Sequence, residues 1–293
     1  MENIQRQRRF SRDMVLFVCW MIPTVYLAII AAVTAHEVIG HGVVAAILGG
    51  AFKGFGIRVD AMGWATVDVI ALSPLRQAIM FAGGAVVTTV LGLLFFVLGY
   101  VWRDRFFRAA TLWVFAFAFL CDGIPYFFWD SIFQGKIGDP SAILRLYPSE
   151  GMRITWIIVS GLLGVASIWL FNHLMLTGTL RFLKTSGRAG KGEVAGVASV
   201  LFGIQTLAWL SFDWAQLIPV ADIGIIPIVT PIALTLIALG AEAFRAIRYI
   251  EKASELAQTI TVSWKAPLIA SWATAIAVAV VIVGWLQNGV LFR

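Results

Sequence analysis

From Met14 to Gly50 the chain is apolar throughout, broken by one acid and two histidines: His36, Glu37 and His41. That run is too long for one perpendicular membrane crossing, because about 20 residues span the hydrocarbon core. Pro23 offers a division, with residues 14–22 as an interfacial or kinked extension and about 24–48 as the span proper. His36 then lies about 12 residues, or about 18 Å, into the helix, near the bilayer middle. Ionisable groups at that depth are expensive to bury and are functional candidates by default.

Similar runs recur along the chain, which is 60% hydrophobic and 13% charged with a mean hydropathy of +0.89. Such a composition describes a polytopic membrane protein and excludes a soluble domain. The expected fold is all-α with about seven transmembrane helices and a short membrane-associated β-hairpin after the first core helix. Residues 1–13 form a basic tail. Residues 14–152 form a membrane core, with spans at about 24–48, 76–101 and 109–130 and the hairpin within 51–74. Residues 153–293 add spans at about 153–179, 194–212, 225–244 and 267–288. The hairpin rests on the alternation of Ile57, Val59 and Ala61 with Ala65, Val67 and Val69 around Met62-Gly63. Sheet edges at membrane depth survive only inside protein or along a cavity, which places this hairpin against the His36 region or at the interface.

Fifteen of the 22 lysines and arginines fall on the side that holds the N-terminus, so the N-terminus is expected in the cytoplasm of a multi-pass integral membrane protein, with the C-terminus outside. These charges lie in short clusters between apolar runs, so the net charge of +6 does not point to nucleic acid. The basic residues before the first run resemble a signal peptide, but the run is too long for one and is read as uncleaved. Cys19 and Cys121 both fall in apolar runs and supply neither a disulfide framework nor a cysteine metal site.

A His-Glu pair followed by a second His is how one helix offers two metal ligands and a general base. Here His36-Glu37-Val38-Ile39-Gly40-His41 is one residue longer than the common zinc signature. On a regular α-helix, residues five apart point about 140° away from each other. A π-bulge, at roughly 4.4 residues per turn, returns them to within about 50°, and Gly40 eases the distortion. A wide turn is therefore expected at Val38–Gly40. The longer spacing also resembles that of the soluble dipeptidyl peptidase III zinc enzymes, which nothing else in the chain resembles. A catalytic zinc needs a third protein ligand. Asp122 is the only other acid well inside an apolar segment. Asp139 precedes a helix start at Pro140-Ser141-Ala142, a terminus that holds a carboxylate well. Asp130 and His173 are weaker candidates, His173 being better read as a packed or interfacial histidine.

On these motifs the chain resembles the site-2 proteases, the intramembrane zinc metalloproteases. His36-Glu37…His41-Gly42 is similar to that family's first core helix, and Gly54–Val69 resembles its membrane-associated β-element. Ala82-Gly83-Gly84 resembles the Ala-Gly-Pro-like turn that opens its next span, with Gly84 in place of proline. Asp122-Gly123-Ile124-Pro125 is similar to its Asn-x-x-Pro, and Gly138-Asp139-Pro140 to its ligand-bearing Asp-Gly. The resemblance covers about residues 24–146. It implies zinc held by His36, His41 and Asp139, with Asp122 as an orienting group or alternative ligand and Glu37 as general base. The implied substrate is a transmembrane protein in the lipid bilayer. A non-proteolytic metal-binding protein, either a degenerate protease or a transporter, is the competing reading. A membrane di-iron oxygenase is excluded, since those enzymes need about eight histidines and this chain has three.

Overall fold

A computed structural model describes residues 2–133, 138–183, 191–217, 226–252 and 263–292. Helix α1 (Glu2–Thr34) continues without a break into a π-helical segment (Ala35–Val43) and a final turn, α2 (Val44–Ile47). The hairpin follows as β1 (Ala51–Ile57) and β2 (Gly63–Asp68), then α3 (Pro74–Val101), α4 (Phe106–Phe133), the short α5 (Asp139–Leu146) and α6 (Glu150–Leu183). Helices α7 (Lys191–Leu217), α8 (Ile226–Lys252) and α9 (Lys265–Gly284) come next, and a 3-10 turn (Leu286–Asn288) leads into β3 (Val290–Leu291).

Seven long segments therefore stand where seven spans are expected. Among the described residues six are long and apolar enough to cross a membrane, the seventh long segment being α7. Helix α8 runs past the expected end of its span to Lys252; residues 253–262 lie outside the described residues.

Pro23 does not interrupt the helix, because α1 runs through it, so residues 14–22 extend the same helix. Proline has no N–H, so the carbonyl of Cys19 loses its helical donor. Trp272 of α9 supplies one in its place, its indole Nε1 donating to Cys19 O at 2.9 Å. Neighbouring helices commonly re-satisfy backbone groups freed in this way inside membranes.

Helix α4 is the most enclosed of the candidate spans. Its Ala109, Ala110, Trp113, Ala116, Phe117 and Leu120 are buried among α1, α3 and α6. Near one end, Phe106 stacks on Phe182 of α6 at 4.1 Å, and Phe107 meets Trp20 of α1 and Trp264 at 5.4 and 5.2 Å. Arg105, Arg108, Arg181 and Lys265 flank this aromatic layer in sequence, which marks it as the basic interface. From Trp20 to His36, and from Phe106 to Asp122, the helical rise is about 24 Å. His36 therefore lies well beyond this aromatic layer, toward the hairpin end of its helix.

The hairpin is present and antiparallel, from Ala51 opposite Asp68 to Ile57 opposite Gly63, with a bulge at Lys53. What the sequence does not announce is its third strand. β3 pairs with the other edge of β1, giving the order β2-β1-β3. The bulged Lys53 carbonyl accepts from Phe292 N at 2.6 Å. Ile57 joins Ile30 and Ile282 in a small core that ties the sheet to α1 and α9.

Candidate metal centre

The nine π-helical residues Ala35–Val43 contain the wide turn expected at Val38–Gly40. They bring the imidazoles of His36 and His41, both buried, to 4.8 Å between ring centroids. Crossing against α3 seals them. A Cβ on Gly40 would lie 2.3 Å from Gly84 Cα, and one on Gly84 would lie 2.3 Å from His36 Nε2. This corrects the expected turn at Ala82-Gly83-Gly84: the three residues are interior to α3. The physical need for glycine there is close helix approach, since any side chain would fill the space beside His36. Helix α3 begins instead at Pro74, capped by Ser73, whose Oγ accepts from Arg76 N.

Asp139 completes the group. Its Oδ2 lies 3.2 Å from His36 Nε2 and 3.1 Å from His41 Nε2, and one donor atom from each of the three residues lies within 4.8 Å of the others. The two remaining ring nitrogens are occupied. His41 Nδ1 is 3.0 Å from the Met80 carbonyl, so it must carry the hydrogen and donate, leaving Nε2 as a lone pair aimed at Asp139. His36 Nδ1 is 2.8 Å from Asp122 Oδ2, which fixes the same tautomer when Asp122 is ionised. Zinc ligand bonds of about 2.0–2.2 Å in a tetrahedron place donor atoms roughly 3.3–3.5 Å apart, close to the spacings seen. Backbone carbonyl and carboxylate partners on the far nitrogens are the usual support of metal-bound histidines. The donor set therefore fits zinc.

Of the sequence candidates, His36, His41 and Asp139 converge, and Asp122 touches His36 from behind. Glu37 shares the π segment and lies half-buried against β2, where a Cβ on Gly63 would come within 2.9 Å of its Cγ. His173 is elsewhere, its Nδ1 2.8 Å from Glu242 of α8. Asp130 is not in the group of three either. Its Oδ2 accepts from both the backbone N and the Oγ of Ser141, each at 2.6 Å, at the first turn of α5. Neither the Met80 carbonyl nor this cap carries a sequence signal, because a backbone acceptor has no residue type and an aspartate eleven residues upstream matches no capping motif.

The family model described as Peptidase M50B-like matches residues 13–125, a stretch that carries His36, Glu37, His41 and Asp122 and stops before Asp139. No curated protein and no solved structure matches the chain.

Proposed function

Because the family model described as Peptidase M50B-like matches residues 13–125, we propose that this multi-pass membrane protein is a zinc-dependent intramembrane endopeptidase. The observation that carries this reading is the convergence of His36 Nε2, His41 Nε2 and Asp139 Oδ2 next to Glu37. Zinc bound there supplies Lewis acidity and lowers the pKa of water toward neutrality. Glu37 takes a proton from the attacking water and passes it to the leaving amine. Asp122 and the Met80 carbonyl hold the two imidazoles in the tautomer that leaves each Nε2 available.

A helical peptide bond is protected by its own hydrogen bonds, so a transmembrane substrate must be unwound before it is cut. Among the described residues β2 pairs only with β1, and its outer edge starts at Gly63 beside Glu37. An extended peptide added to that edge by main-chain pairing would reach the site already unwound. β3 covers the opposite edge of β1, which leaves one edge for the substrate. The site's position near the hairpin end favours cleavage close to the interface opposite the basic loops.

The test is Glu37→Gln in purified protein with a membrane-protein substrate. Cleavage should fall at least about 100-fold, the scale of a general base, while bound zinc is unchanged. A variant that cleaves normally would remove Glu37 from the chemistry and favour a metal-binding protein that is not a protease. A variant that loses its zinc would make Glu37 a structural part of the metal centre.

A further inference from the structure

Resting on that reading, we infer that Asp130 is a positioning residue for the third ligand: it clamps the first turn of α5 so that Asp139 faces His36 and His41. Asp139 is the first residue of an eight-residue helix, too short to be stable alone. Its N-cap position is Gly138, which has no side chain to accept from the open N–H groups. Asp130 reaches across from α4 and fills that role from outside the helix. One carboxylate oxygen takes both the backbone N–H and the hydroxyl of Ser141, two residues beyond Asp139. The fit is close, because a Cβ on Gly138 would lie 3.0 Å from the Asp130 carboxyl carbon and from its Oδ2. Gly138 is therefore the residue type that lets α5 sit down on Asp130.

The arrangement makes α4 the common scaffold of the centre. Asp122, on its inner part, fixes His36 through Nδ1. Asp130 lies about 12 Å further along the same helix and fixes Asp139 through the backbone of its own helix. The two carboxylate partners of the His36 ring, Asp122 at Nδ1 and Asp139 at Nε2, are thus both registered to α4, which sets the His36–Asp139 spacing of 3.2 Å. Asp130 touches neither the donor atoms nor the proposed substrate edge, so its effect on the centre passes through Asp139 alone.

Zinc affinity and the cobalt(II) absorption spectrum of Asp130→Ala, Asp130→Asn and Gly138→Ala decide the matter. Loss of an outer support typically weakens metal binding 10–100-fold. Asp130→Ala should show that loss with an altered cobalt spectrum. Asp130→Asn keeps an acceptor oxygen for Ser141 and should stay within about threefold of wild type. Gly138→Ala pushes the carboxylate away and should fall with the alanine variant, which covers the case where Asp130→Ala does not fold. Wild-type affinity and spectrum in Gly138→Ala or Asp130→Ala would overturn the inference, as would an asparagine variant as weak as alanine. In metal-free protein, amide exchange over residues 139–143 should be faster in Asp130→Ala; equal exchange would also overturn it. A wild-type protein that binds neither zinc nor cobalt would count against the proposed function instead, and the exchange measurement would still judge Asp130.

Discussion

Around the centre are glycines where a single methyl group is too much, Gly84 and Gly63 among them. Gly84 leaves room for His36 Nε2, and a Cβ there would sit 2.3 Å from it. Gly84→Ala should lower zinc affinity at least about tenfold by turning the imidazole away from Asp139, on the scale of a disturbed metal support, with helix content retained. Equilibrium zinc competition in detergent measures this. Gly63→Ala acts on the other half of the site. Its Cβ would meet Val33 Cγ1 at 2.4 Å and Glu37 Cγ at 2.9 Å, so cleavage should fall while zinc content does not. Overpacking of this kind costs about 1–3 kcal/mol, and parallel zinc and cleavage assays separate the two glycines. The acids differ in the same way. Asp122→Asn keeps an acceptor for His36 Nδ1 and should weaken zinc binding about 10–100-fold, whereas Asp139→Ala removes a donor atom altogether.

At the scale of elements, much was legible because it is written in periodicity and residue type. The helix carrying His36 and His41 had to widen, since five-residue spacing on a regular turn points ligands apart, and the π segment at Ala35–Val43 is the result. The hairpin showed in the two-residue alternation around Met62-Gly63. Pro23 misled because proline ends helices in water, where no neighbour supplies a donor; here Trp272 does. Trp272→Phe should therefore destabilise the protein by about 1 kcal/mol, the net value of one hydrogen bond. In a Pro23→Ala background, where residue 23 again donates to Cys19, the same change should cost little. A double-mutant cycle in denaturant reads the coupling, and equal costs in both backgrounds would refute it. β3 was not legible, because a two-residue strand joined by main-chain bonds to β1, near the other end of the chain, leaves no pattern in its own sequence. The glycines at 83 and 84 were read as a turn when they are a helix crossing, and both uses of glycine look alike in one sequence.

Across the whole molecule, the family match ends at residue 125, yet later elements complete the structure around it. α5 brings Asp139, β3 closes one sheet edge, and α9 satisfies α1 and packs Ile282 against Ile30 and Ile57. The basic aromatic layer lies at the start of α4, about 24 Å of helix away from the His36 and hairpin end, so Arg103→Cys and Ile70→Cys, both exposed positions, should react with an impermeant thiol reagent from opposite faces. Arg103→Cys should label from the cytoplasmic face, and labelling of both from one face would refute the two-ended arrangement. The central claim is that three donor atoms from α1's π extension and α5 form one zinc site, and elemental analysis of purified protein tests it most directly. About one zinc per chain is expected in wild type, as for a single three-ligand catalytic site, with none in His36→Ala or Asp139→Ala and binding retained at high zinc in Asp122→Ala. Folded wild-type protein without zinc, or zinc kept by Asp139→Ala and lost by Asp122→Ala, would contradict it.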